Sequence, residues 1–267
     1  MLAFFFADTR HSLTSQIRGL QMATYLGAKI NPKSGFKNDV CIWVKLEPPE
    51  NCPRFSYVDI MENHRLVPWL AAHPKVGIIA VTSDLKKYLQ KKLAVNNIKL
   101  IPQNHCNYKQ EVRSRKDVKT VGFIGLPDYS FMHPLDDIRK RLAKIGLDFV
   151  EKTTFNGRRG VIGFYKRIDI QIVWRPNANE FRNPLKLSNA GSFGIPTVAY
   201  PEESFVSEYD GCFIPASSID EMIIKVKELK KNPDLYMLMA KKAKERAENY
   251  HIEHIAKLYK KLDNNKS

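Results

Sequence analysis

The chain lacks most of the features that sort a protein at a glance, and each gap removes a class. Its four cysteines, Cys41, Cys52, Cys106 and Cys212, are scattered without paired metal-ligand spacing. That excludes a structural zinc module and a disulfide scaffold, and reads as reduced thiols. No apolar run is long enough to cross a bilayer. The apolar start, Met1 to Ala7, has no basic residues ahead of it and gives way to Asp8, Arg10 and His11, so it reads as a first strand and not as a secretory leader. A cytoplasmic protein is expected. Acidic residues are also short: 28 Asp and Glu against 43 Lys and Arg leave a net charge of +15. Such a charge attracts phosphate-bearing substrates, anionic lipid surfaces and nucleic acid. No zinc-finger, helix-turn-helix or aromatic-rich RNA-binding signature accompanies it, and lysine runs such as Lys86-Lys87 and Lys91-Lys92 fall on what read as exposed helix faces. A specific nucleic-acid partner is therefore not expected.

What is present is an apolar fraction of 43% over 267 residues, enough for a substantial core and for two domains of ordinary size. Strand-like runs at 2–7, 40–46, 55–61, 76–82 and 98–101 alternate with helical periodicity at 12–26, 65–72 and 85–93. In the first helix Leu13, Ile17, Leu20, Met22, Ala23 and Leu26 form the expected apolar face, and Gly27 closes it. The charged stretch 107–119 reads as a linker. Alternation then resumes, with strands at 120–124, 147–150, 168–174 and 197–200 and helices at 134–145, 217–229, 232–250 and 252–262. The expected fold class is α/β: two successive units joined by one linker, each with a parallel sheet covered on both faces. The first covers 1–107 and the second 117–250, with a helical C-terminal tail at 251–267 packing back on the first.

One stretch carries more than periodicity. Residues 183–201 read as a helix followed at once by a buried strand: Pro184 suits a first helical turn, Gly194-Ile195-Pro196 stops the helix, and Thr197 to Tyr200 supplies a β-branched and aromatic run. In an open α/β sheet such a helix points its amide-rich N-terminus at the crevice outside the strand ends, where phosphorylated ligands sit. Lys186, Ser188 and Asn189 lie in its first turns, and Arg175 follows the preceding strand. Gly125 follows the first strand of the second domain, where backbone could approach a phosphate.

The pattern Lys186-x-x-Asn189-Ala190-x-x-x-Gly194-x-Pro196, with the later runs 217–229 and 232–235, resembles the donor-binding domain of the GT-B glycosyltransferases. Weaker echoes at 58–62 and 79–83 resemble that family's acceptor-side domain. The resemblance implies two facing Rossmann-like domains and a glycosyltransferase that binds a nucleotide-sugar donor and passes the sugar to a saccharide or lipid-linked acceptor, with no metal and no further cofactor. In it Arg175, Lys186, Ser188, Asn189 and Gly125 serve the donor. A cationic site would stabilise the charge left as the nucleoside diphosphate departs. Asn189 stands where the family usually has glutamate, and Phe181 where it has a second acid. That departure implies an alternative, a protein of the same fold that binds nucleotide-sugars without turning them over; the charge alone leaves a third, a basic anion- or nucleic-acid-binding α/β protein.

On the acceptor side, the end of the strand at 55–61 presents Asp59, Glu62 and His64, and the loop after the first strand presents Arg10 and His11. His64 and Asp59 are the catalytic candidates, as groups that orient or deprotonate an acceptor hydroxyl; Arg10, His11 and Glu62 are acceptor-side contacts. The basic balance suits docking at the anionic inner face of a membrane.

Overall fold

The computed structural model describes residues 1–9, 12–93, 97–113, 117–125, 135–154, 157–176 and 181–264. The chain divides into two compact units, one of residues 1–104 with 252–267 and the other of 105–251. Arg10 and His11 lie outside the described residues.

The first unit is built on a six-stranded sheet of β1 (Leu2–Phe6), β2 (Lys29–Ile30), β3 (Val40–Val44), β4 (Ser56–Asp59), β5 (Gly77–Ala80) and β6 (Ile98–Leu100). All pairings are parallel and the order is β2-β1-β3-β4-β5-β6. Strands β1, β3, β4 and β5 are buried at every residue, as apolar runs in a sheet covered on both faces should be. The short edge strand β2 falls where the sequence reads as a polar loop. Asn31 fixes it there, accepting from the Phe6 amide at 2.9 Å and donating to the Phe6 carbonyl at 3.2 Å.

The helix expected at 12–26 keeps Met22 and Ala23 of its predicted face buried and departs from the rest. Ser15–Gln21 form a π-helix that runs into an α-helix at Met22–Leu26, and the wider turn shifts the face turned to the sheet. Ser15, Arg18, Gly19, Met22 and Ala23 are buried, while Leu13 and Leu20 are exposed. Gly19 sits against the Phe6 ring, where a Cβ would collide. Pro68 lies in the first turn of Val67–Ala72, where it lacks no hydrogen bond. The C-terminal helix Ile252–Asn264 belongs to this first unit: Tyr259 packs on Phe4, and Asp263 pairs with the N-terminal ammonium at 3.0 Å.

The second unit has a five-stranded parallel sheet of β7 (Thr120–Ile124), β8 (Asp148–Lys152), β9 (Ile170–Val173), β10 (Thr197–Ala199) and β11 (Ile214–Pro215). Its order is β11-β10-β9-β7-β8. Residues 107–113 form part of this unit. Asn107 donates to the carbonyls of Glu111 and Ser192, and Arg113 pairs with the buried Asp169 at 3.1 Å. Asn232 caps the helix Pro233–Glu248 by accepting from the Leu235 amide, and Ser218 does the same for Ile219–Lys231 through Glu221.

The helix Leu185–Ser192 is the buried centre of this unit. Residues Leu187 to Ser192 are all enclosed between the sheet and the helix Pro233–Glu248. Gly191 makes the approach feasible, because a Cβ there would strike the Ala243 carbonyl oxygen. Gln171, buried in mid-strand, donates to the Lys186 carbonyl at 3.1 Å and fixes the helix start on β9.

Candidate functional site

In both sheets the first strand in sequence lies between the second and the third, so the order reverses at β1/β3 and at β7/β9. Ligands of open α/β sheets bind outside the strand C-termini at such switch points. In the second unit this puts Gly125, at the end of β7, and Arg175, just past β9, beside one crevice position. Gly125 has φ +155, a region that residues with a side chain rarely enter, so the chain turns there with no Cβ in the way.

Arg175 is almost fully buried and forms a two-armed ion pair with Glu202, which follows β10: Nε reaches Oε1 and Nη2 reaches Oε2, each at 2.6 Å. The Phe205 ring lies beneath the guanidinium at 5.6 Å. Lys186, in the first turn of Leu185–Ser192, is half-buried with its ammonium 5.3 Å from the centre of the Phe123 ring on β7. Burial pushes its ammonium down to about 7, reinforced by the charges of Arg175 and Arg182 and opposed by Glu202. The carboxyl of Glu202 is raised by its own burial, against the pull of Arg175. Among the described residues, three cations and one carboxylate therefore interact at the switch point of the second sheet. Such an arrangement is suited to a multiply charged anion, which would supply the negative charge that Glu202 alone does not.

The other donor-side residues have internal partners. Ser188 is fully buried and its hydroxyl donates to the carbonyls of Pro184 and Leu185, one turn back, at 3.2 Å. The Asn189 side chain accepts from the Cys106 amide at 2.8 Å, which ties residue 106 to the buried helix. Sequence reasoning groups Ser188 and Asn189 with Lys186 because they share a helix; the fold turns them to its interior. It missed Glu202 and Arg182. The position of Glu202 directly after a core strand is the one signal that could have found it.

In the first unit Asp59 is completely buried. Arg18 Nη2 lies 2.6 Å from its Oδ2, Arg18 Nε donates to the same oxygen at 2.8 Å, and the Tyr259 hydroxyl donates to it at 3.0 Å. Burial raises this carboxyl against the pull of Arg18. The structure thus gives Asp59 an interior partner and leaves it no solvent-facing edge. Glu62 is half-buried and His64 exposed, in the turn between β4 and the helix Val67–Ala72; the His64 ring meets Tyr88 edge-on at 6.0 Å. Strand β4 is not at the switch point of its sheet. At β1/β3 the described candidates are Asp8 and Thr9, after β1, and Lys45, whose φ of +55 follows β3.

Cys106 is buried and its thiol is pushed up to about 12 by that burial, while His105 beside it is pushed down to about 3 by burial and by His251. At neutral pH the pair is a thiol and a neutral imidazole, not an activated nucleophile. Among the described residues no group of three His, Cys, Asp or Glu is placed to hold a metal, and no helix is long and apolar enough to cross a membrane. A cavity of about 530 Å³ lined by Lys119, Asp148, Lys230 and Tyr236 lies at the N-terminal edge of the second sheet, the opposite end from Arg175.

No protein-family model matches the sequence, and no curated protein is significantly similar to it. Solved structures do match. A glycosyltransferase from Rickettsia africae aligns at TM-score 0.61 with 10% identity, over 100% of this chain and 98% of that one. Anabaena HepE, solved with UDP and glucose, aligns at 0.60 with 7% identity, over 99% of each chain. The TarM mutant of S. aureus, solved with UDP, fondaparinux and α-GlcNAc-glycerol, aligns at 0.59 with 16% identity over 84% of this chain. The chain spans 55% of the length of that TarM structure. The fold is that of the GT-B glycosyltransferases, an α/β fold with parallel sheets and a helical C-terminal region.

Proposed function

We propose that this chain is a glycosyltransferase whose second unit binds a nucleoside-diphosphate sugar and whose acceptor is a hydroxyl of a saccharide or of a lipid-linked saccharide. The observation that carries this reading is the cluster of Arg175, Lys186 and Arg182 around Glu202 at the β7/β9 switch point. Two structural neighbours, HepE and TarM, were solved with UDP. In this reading Lys186 and Arg175 meet the diphosphate. Its negative charge grows as the sugar departs, and cations already in place stabilise that charge without reorganising. Gly125 lets the backbone approach the donor. Among the acceptor-side candidates, exposed His64 is assigned the acceptor proton and Glu62 a contact, while Asp59 serves the interior. Arg10 and His11 remain acceptor contacts by position in sequence. No metal or other cofactor is invoked, because the lysine and the arginines supply the positive charge.

The test is a panel of nucleoside diphosphates and their sugars, read by thermal shift and by release of free nucleotide. A ligand that binds only the folded state raises its melting temperature by mass action. Lys186→Met is expected to weaken donor binding and to lower turnover by roughly 100-fold, the scale of losing one charge-stabilising donor. If the variant turned over the donor as well as the parent, the role given to Lys186 would be wrong. A second reading, binding without catalysis, is favoured by Asn189, whose side-chain oxygen is engaged with the Cys106 amide where the family has a glutamate. Calorimetric donor binding with no turnover across donors and acceptors would select it. The +15 charge supports a site of action at an anionic membrane face. Sedimentation with anionic vesicles should then show binding that salt abolishes.

A further inference from the structure

The Arg175–Glu202 pair has features that a supporting contact does not require. Its two parallel N–H···O bonds, at 2.6 Å each, are the arrangement an arginine offers to a phosphate group as readily as to a carboxylate. Glu202 is the acid interacting with both Arg175 and Lys186, and both pair members are over nine-tenths buried. A buried guanidinium beside a half-buried ammonium is costly without a counter-anion. In the ligand-free protein Glu202 supplies one.

We propose that Glu202 is an internal stand-in for the diphosphate, one that an incoming ligand displaces from Arg175. The inference rests on the function proposed above. Glu202 thereby sets the affinity of the site. Donor and product both compete with the carboxylate for the same guanidinium, so binding is weaker and release of the nucleoside diphosphate faster than Arg175 and Lys186 alone would give. A residue that only held Arg175 in position would have the opposite signature, because its loss would loosen the arginine and weaken binding.

Inorganic pyrophosphate is the discriminating probe, since it tests the anion site without a nucleoside or sugar. Binding to the intact parent chain and to Glu202→Gln is measured by calorimetry and thermal shift at constant ionic strength. The variant is expected to melt lower without ligand, to regain more stability than the parent when pyrophosphate is added, and to bind it roughly tenfold more tightly, as removal of a close competing charge implies. Equal or weaker binding by the variant overturns the proposal, as does an absence of pyrophosphate binding to both proteins. Glu202→Asp keeps the charge but draws it back by one methylene; tighter binding is expected there too, and unchanged or weaker binding overturns the idea even if Glu202→Gln does not fold. If pyrophosphate behaves as expected while no nucleoside-diphosphate sugar binds, the glycosyltransferase reading fails and the competition stands.

Discussion

Each unit buries an arginine–carboxylate pair, Arg18–Asp59 in the first and Arg175–Glu202 in the second, and the two differ in what surrounds them. In the first unit Arg18 meets Asp59 and also donates to the carbonyls of Pro102 at 2.6 Å and Ile101 at 3.1 Å, while Tyr259 donates to the same carboxylate. Both side chains of the pair are 0% exposed. The two charges offset each other and the cluster is closed to solvent, with Asp59 Oδ1 buried and without a hydrogen-bond partner among the described residues. In the second unit the Arg175–Glu202 pair lies beside a further cation, the half-buried Lys186. Among the described residues positive charge is in excess there. A charged residue at a strand end is therefore not informative by its position alone; the sign of the local charge imbalance is what distinguishes the two clusters.

The largest effect expected from this comparison is on the closed cluster. Asp59→Asn leaves Arg18 buried without its counter-charge, and breaking a buried pair from one side costs about 3–5 kcal/mol. Urea unfolding should show a lower midpoint of that size, while nucleotide affinity per folded molecule stays within about twofold of the parent, since the proposed donor site is assigned to the other unit and independent sites add. Unchanged stability with lost transfer would reverse the assignment and make Asp59 a functional carboxylate.

Parallel sheets were legible in the sequence because buried β-branched and aromatic runs such as 40–46 and 76–82 have few other places to go, and caps at Ser218 and Asn232 marked their helices. Lys186 and Arg175 were legible because strand-then-helix order fixes which ends of the elements meet. The rest depended on distance along the chain. Arg18 and Asp59 are 41 residues apart and Asp59 and Tyr259 are 200 apart, so Asp59 looked free. Glu202 lies 27 residues from Arg175, on the far side of the central helix. The π-turn at Ser15–Gln21 was invisible for a different reason: it changes the period that face prediction assumes, and so turned Leu13 and Leu20 outward.

The next difference is in pH dependence. Lys186, pushed down to about 7, loses its charge as pH rises through that value, whereas a bound diphosphate favours the ammonium and raises its pKa. Binding thus takes up a proton. Affinity for a nucleoside diphosphate should be full below about pH 7 and then fall, approaching tenfold per pH unit, until the pKa of the complex is reached. Lys186→Arg, which stays charged, should flatten that slope. Calorimetry in buffers of different ionisation enthalpy would count the proton directly. A wild-type affinity level from pH 6 to 9 would remove Lys186 from contact with the anion and leave the second cluster as closed as the first.

The smallest effect probes how complete the closed cluster is. Tyr259→Phe removes one hydroxyl donor from Asp59 and leaves the ring that packs on Phe4 and beneath the Arg18 guanidinium at 5.4 Å. One neutral donor contributes about 0.5–1.5 kcal/mol net, slightly more when the acceptor is charged. The loss should therefore be well under that of Asp59→Asn, because Arg18 still neutralises the carboxylate. If instead the two variants cost the same, the C-terminal helix Ile252–Asn264 would be held to the first sheet through this hydroxyl. Its detachment would then show as increased amide exchange along that helix, with β4 still protected.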